Sequence, residues 1–245
     1  MLPWIVGFCL LGSVGVVAGS AAMLMLSDRI RRVLVPSLTS YAAGTLLGAT
    51  FLGMIPAALA EAPVRSVSTT LLAGLVLFFL LEKGLRWRHC HEEHCEVHGS
   101  TGALILVGDA FHNFVDGVVI AAAFMSDPSL GVPTALAVIA HEIPQELGDF
   151  AILLESGYGR IKALLLNGLS SMTTVVGGVG AYIGLEGIGE AVPAILALSA
   201  SSFLYIALAD LIPGLHRQVD FAASLRQLVL LLAGIGTIAM FHRGA

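Results

Sequence analysis

Eight runs of predominantly apolar residues follow one another along the chain, at about 3–26, 35–60, 67–84, 102–125, 131–155, 161–184, 190–213 and 222–241. A helix needs roughly 20 such residues, at about 1.5 Å each, to cross a bilayer core. Inside lipid only helices and closed barrels satisfy every backbone N–H and C=O. Runs of this length therefore predict an all-α integral membrane protein with eight transmembrane helices. Charge agrees: 12% of residues are Asp, Glu, Lys or Arg, against about 25% in soluble chains. The joining segments are short, so residues 1–245 read as a single polytopic membrane domain in a lipid bilayer. No Lys or Arg precedes the first run, which therefore reads as a retained span and not as a signal peptide. Nucleic acid is not an expected partner.

Basic residues set the expected orientation. The connections after spans 1, 3, 5 and 7 hold Arg29, Arg31, Arg32, Lys83, Arg86, Arg88, Arg160, Lys162, Arg217 and Arg226, and the other side holds Arg65 and Arg243. This places both termini outside and the connection after span 3 in the cytoplasm, in a plasma or inner cell membrane. A weak internal repeat is also visible. Residues 42–56, AAGTLLGATFLGMIP, resemble 199–213, SASSFLYIALADLIP. Spans 2 and 7 cross in opposite senses, so the expected plan is an inverted repeat of spans 1–3 and 6–8 around spans 4–5, a recurrent transporter plan. Small residues and Pro also recur in membrane helices for packing reasons alone.

Spans 4 and 5 carry the chemistry. At 100° per residue, Asp109, His112, Asn113 and Asp116 fall on one arc of about 100°, and His141, Glu142, Gln145, Glu146 and Asp149 on another of about 140°. The two helices are antiparallel neighbours, so their polar stripes can meet near the midplane. Five acids there would cost very roughly 12–18 kcal/mol as an upper bound on insertion scales. No Lys or Arg lies in either span to offset them. A divalent cation would, and imidazole, carboxylate and amide suit Zn²⁺, Fe²⁺ or Mn²⁺. The competing explanation is a polar network that glues helices together. Two His, five acids, an Asn and a Gln exceed what such glue needs. Pro144 lacks an N–H and should kink span 5, freeing the carbonyl of Ala140 beside the ligands.

HNFVDG at 112–117 followed by HEIPQELGD at 141–149 resembles the ZIP (Zrt/Irt-like) divalent metal transporters. LLEKGLRWRHCH at 80–91 and FLYIALADLIPGL at 203–215 extend the resemblance over most of the chain. It implies a transport site for one or two ions, with no enzyme activity and no resident cofactor: zinc or another divalent metal is the substrate. Carried over position by position, His112, Asp116, His141 and Gln145 form a primary metal site, and Asn113 and Glu142 a secondary one, with Gln145 shared. Thr174 stands where some members place a further carboxylate. Gly53 and Ala57 stand where many carry His and Glu. Both departures weaken the second ion more than the first.

Residues 86–101 form a His/Cys-rich cytoplasmic loop, in which His89, Cys90, His91, His94, Cys95 and His98 are candidate ligands for ions leaving the pore. A solvated acidic loop is the plainer reading. Asp210 could line the path; His216 and His242 lie near span ends. Gly177-Gly178-Val179-Gly180 fits close helix packing, within the chain or in a homodimer. The residues alone leave three functions open. HEIPQ begins like the zinc-protease motif H-E-x-x-H but has Gln145 in place of the second His. A metal sensor without flux is the third. Protonation of a ligand would weaken metal binding, so uptake should depend on pH.

Overall fold

The computed structural model describes residues 1–89, 98–185, 191–217 and 220–242, and not the side chains of 20, 23, 24, 28, 85–89, 98–104, 155, 185 and 242. All six loop candidates, from His89 to His98, therefore lie outside the described side chains. Among the described residues the regular structure is entirely helical: α1 (Leu2–Leu24), α2 (Asp28–Gly48), α3 (Ile55–Glu61), α4 (Val64–His89), α5 (His98–Ser126), α6 (Pro128–Glu155), α7 (Arg160–Ser171), α8 (Thr173–Leu185), α9 (Val192–Tyr205), α10 (Ile212–Leu215) and α11 (Phe221–His242). Seven helical stretches among these residues are long and apolar enough to cross a membrane. The eighth long helix, α6, has 28 residues, or about 42 Å at 1.5 Å per residue; Glu142, Glu146 and Asp149 lower its apolarity. Helix α4 reaches His89 and α5 starts at His98, so both ends of the expected 86–101 loop are helical.

The outer helices show why the surroundings must be lipid. Trp4, Leu72, Ile161, Val176 and Met240 are all exposed, on helices apolar nearly all round, which is the pattern of a membrane span. Helices α5 and α6 lie in the interior. Helix α5 packs on α6 and α8, and α6 also packs on α1 and α2. Small residues allow these approaches. A Cβ on Gly117 of α5 would overlap the carbonyl oxygen of Thr174, and one on Gly177 of α8 the carbonyl oxygen of Phe114. A Cβ on Gly178 would come within 2.8 Å of Cys9 Sγ in α1. Gly177 and Gly178 are thus used for packing inside the chain, while Gly180 meets nothing within 4 Å.

The inverted repeat is visible in detail. Helix α2 packs on α11 as α9 packs on α4, and α6 packs on α1 as α5 packs on α8. In the second span α2 leads through a π-helical turn, Ala49–Met54, into α3; in the seventh, α9 leads through a π-helical turn, Ile206–Leu211, into α10. Both turns occupy the same place in the two similar sequences, directly before Ile55-Pro56 and Ile212-Pro213. Proline cannot donate to the preceding turn, and a widened i→i+5 turn accommodates the loss. The matched positions also meet repeat-equivalent helices, α11 and α4. Gly44 lies against the carbonyl of Leu231, and the equivalent Ser201 donates its hydroxyl to the carbonyl of Leu71 at 3.1 Å. Helix α6 is continuous through Pro133 and Pro144, as a helix bent at a proline also is. The sixth span is interrupted at Met172, between α7 and α8.

Candidate metal site

Antiparallel α5 and α6 bring both polar stripes face to face. His112 and Asp116 are one turn apart on α5, and His141 and Glu142 project from the facing turn of α6. His112 Nε2 lies 3.2 Å from His141 Nε2, 3.3 Å from Glu142 Oε1 and 3.7 Å from Asp116 Oδ2. His141 Nε2 lies 3.2 Å from Asp116 Oδ2 and 3.4 Å from Glu142 Oε1. One ligand atom from each of the four residues lies within 4.8 Å of all the others. A tetrahedral Zn²⁺ with bonds of roughly 2.0–2.1 Å needs ligand–ligand edges of about 3.3–3.4 Å. The observed edges bracket that value.

The surroundings prepare these side chains for a cation. Asp116 and His141 are 0% exposed, while His112 keeps 21% of its side chain open. His141 Nδ1 lies 3.1 Å from the carbonyl oxygen of Ala137. A carbonyl only accepts, so the ring proton sits on Nδ1 and the Nε2 lone pair faces the cluster. The Phe203 ring meets the His141 ring edge-on at 6.0 Å between centroids and holds it in place. Neither oxygen of Asp116 or Glu142 has a hydrogen-bond partner. Buried carboxylates without donors are costly, and a cation relieves the cost. Two carboxylates would neutralise a divalent ion, and the imidazoles complete a borderline-soft set.

The remaining expected ligands are placed differently. Glu142, expected in a secondary set, is a member of the tight four-residue cluster. Gln145 is half-buried and lines the adjoining cavity with Asp109 and Asp149. Asn113 is buried and already engaged: its Nδ2 donates to Asp109 Oδ1 at 3.0 Å, and its Oδ1 accepts from Thr174 Oγ1 at 2.9 Å. Asp109 and Glu146, counted in the polar stripes but given no ligand role, gather with Glu142 in a second buried group. The i,i+4 spacing of Glu142 and Glu146 was the available signal for it. Glu142 Oε1 stands 3.3 Å from His112 Nε2 and 3.4 Å from His141 Nε2.

A cavity of about 460 Å³ reaches His112. Its walls include Glu82, Asp109, Asp149, Tyr205 and Asp210, and the Tyr205 hydroxyl donates to Glu82 across it. These residues belong to the halves of α4, α5, α6 and the seventh span that lead to the 89–98, 155–160 and 215–221 connections. The mouth therefore opens on the face bearing Arg160, Lys162 and Arg217. On the opposite side, Met54, Val119, Phe124, Ala135, Val138 and Ala200 belong to a buried apolar core.

The chain is similar to known proteins. The family model described as ZIP zinc transporter matches residues 86–242. Zinc transporter ZIP13 of Pongo abelii is 34% identical over 223 residues, covering 83% of this chain and 66% of that protein. Zinc transporter ZIP13 of Homo sapiens is 30% identical over 262 residues, with 83% and 70% covered. Zinc transporter ZIP4 of Mus musculus is 48% identical over 119 residues, covering 48% of this chain and 18% of that protein. The chain thus spans less than two thirds of the length of the first of these and less than a fifth of ZIP4.

Proposed function

The chain belongs to the ZIP zinc transporter family, and we propose that it carries Zn²⁺ across a membrane, with His112, Asp116, His141 and Glu142 as the central binding site. One observation carries the reading: a buried four-ligand cluster, with five ligand–ligand edges of 3.2–3.7 Å, adjoins a cavity that reaches its His112. A transporter needs a site that water and ions reach from one side at a time.

The proposed direction is toward the cytoplasm. The open mouth lies on the face rich in Lys and Arg, which the positive-inside rule assigns to the cytoplasm. Both termini then lie outside, in a plasma or inner cell membrane. An ion entering from outside exchanges water for two imidazoles and two carboxylates. In the present conformation it leaves through the cavity, past Asp109, Asp149 and Asp210. The inverted repeat supplies the alternative state: exchange of packing between the two repeats closes this mouth and opens the other. The ligand set also suits Fe²⁺ and Mn²⁺, so the zinc assignment rests on the family.

Uptake of radioactive Zn²⁺ into proteoliposomes, with Fe²⁺, Mn²⁺ and Cd²⁺ as competitors, tests the reading. Saturable Zn²⁺ flux above that of empty vesicles is expected. Intact binding without flux would leave a sensor, and cleavage of a peptide substrate would leave a metalloprotease.

A further inference from the structure

Asp109 lies three residues before His112 on α5, and Glu146 four residues after Glu142 on α6. Each step is about one helical turn, and both lead toward the cavity mouth, because α5 begins and α6 ends on that face. One oxygen from each of Asp109, Glu142 and Glu146 lies within 4.8 Å of the other two. All three residues are buried, at 4%, 3% and 0% exposure. Neither oxygen of Glu146 has a hydrogen-bond partner, and nor has Asp109 Oδ2. No Lys or Arg occurs between positions 89 and 159 to compensate them. A fully buried carboxylate with both oxygens unmatched, aimed at two other carboxylates, calls for a cation. Asn113 hydrogen-bonds Asp109 through its Nδ2 and Thr174 through its Oδ1.

We propose that Asp109, Glu142 and Glu146 form a second divalent-cation site, one turn nearer the mouth than the first. It is distinct from the set of Asn113, Glu142 and Gln145 that the family resemblance implies. Because it shares Glu142, the proposal rests on the central site described above. All its ligand atoms are oxygens, so it takes hard cations such as Mn²⁺ more readily than the imidazole-bearing site does. An ion leaving the first site toward the cavity exchanges imidazole for carboxylate while keeping Glu142.

The test is metal stoichiometry on the purified full chain, by equilibrium dialysis against Zn²⁺ and elemental analysis. Two ions per chain are expected in the wild type. Glu146→Gln and Asp109→Asn, which conserve size, should each retain one, and His141→Ala should lose the other. Excess Mn²⁺ should displace one of the two ions from the wild type and none from Glu146→Gln. One ion per wild-type chain, or two in both amide variants, would overturn the proposal. Either variant alone decides the matter if the other does not purify as a single species. Flux is measured separately: two ions per chain with no transport would preserve the second site and remove the transport reading.

Discussion

Glu142→Gln and Gln145→Ala separate the ligand set seen in the structure from the one implied by resemblance. Glu142 Oε1 stands 3.3 and 3.4 Å from the two imidazole nitrogens. With Asp116 it supplies the two negative charges that balance a divalent ion. Glu142→Gln keeps the shape and removes one charge from a buried cluster. Breaking a buried charge pairing costs about 3–5 kcal/mol. At about 1.4 kcal/mol per decade, the Kd for Zn²⁺ should rise about 100-fold to a few thousand-fold. Gln145 is a neutral amide on the cavity wall. Losing one neutral contact is worth about 1 kcal/mol, so Gln145→Ala should weaken binding by less than about tenfold. Competition titration against a zinc-chelating dye, with the purified protein in detergent, measures both. Equal losses, or a larger loss for Gln145→Ala, would refute the place given to Glu142.

Other outcomes follow from packing and topology. Gly117→Ala forces a methyl group onto the carbonyl of Thr174, and overpacking of this kind costs about 1–3 kcal/mol; thermal melting in detergent should show the drop, while Gly180→Ala, which meets nothing within 4 Å, should not. Thr174→Val leaves Asn113 Oδ1 without its donor and should cost about 1–3 kcal/mol in the same assay; no change would mean that water replaces the hydroxyl. With Cys9, Cys90 and Cys95 replaced by Ser, a Cys at Asp210 should react with an impermeant thiol reagent only from the side bearing Arg160 and Lys162; labelling from the other side would reverse the proposed direction.

Periodicity makes much of this legible in the sequence. His112 and Asp116 at i,i+4, and the stripe from His141 to Asp149, follow from helical geometry, and their meeting follows from a short antiparallel connection. Which stripe members converge does not follow. An arc of 140° places Glu142, Gln145 and Glu146 together, but side-chain direction and the rotation of α6 against α5 decide that Glu142 completes the cluster while Gln145 faces the cavity. The capture of Asn113 depends on Thr174, 61 residues away on α8, and no local pattern carries that. The repeat was visible in small residues and Ile-Pro at 55–56 and 212–213. The widened turns before each proline were not, because no residue pattern distinguishes a π-helical turn from an α-helical one.

Zinc flux through the reconstituted protein, compared between the wild type and His141→Ala, tests the central claim most directly. Saturable uptake in the wild type is predicted, with uptake in His141→Ala falling to the level of empty vesicles although the variant inserts normally. Unchanged saturable uptake in His141→Ala would contradict the claim that the ion crosses through this cluster.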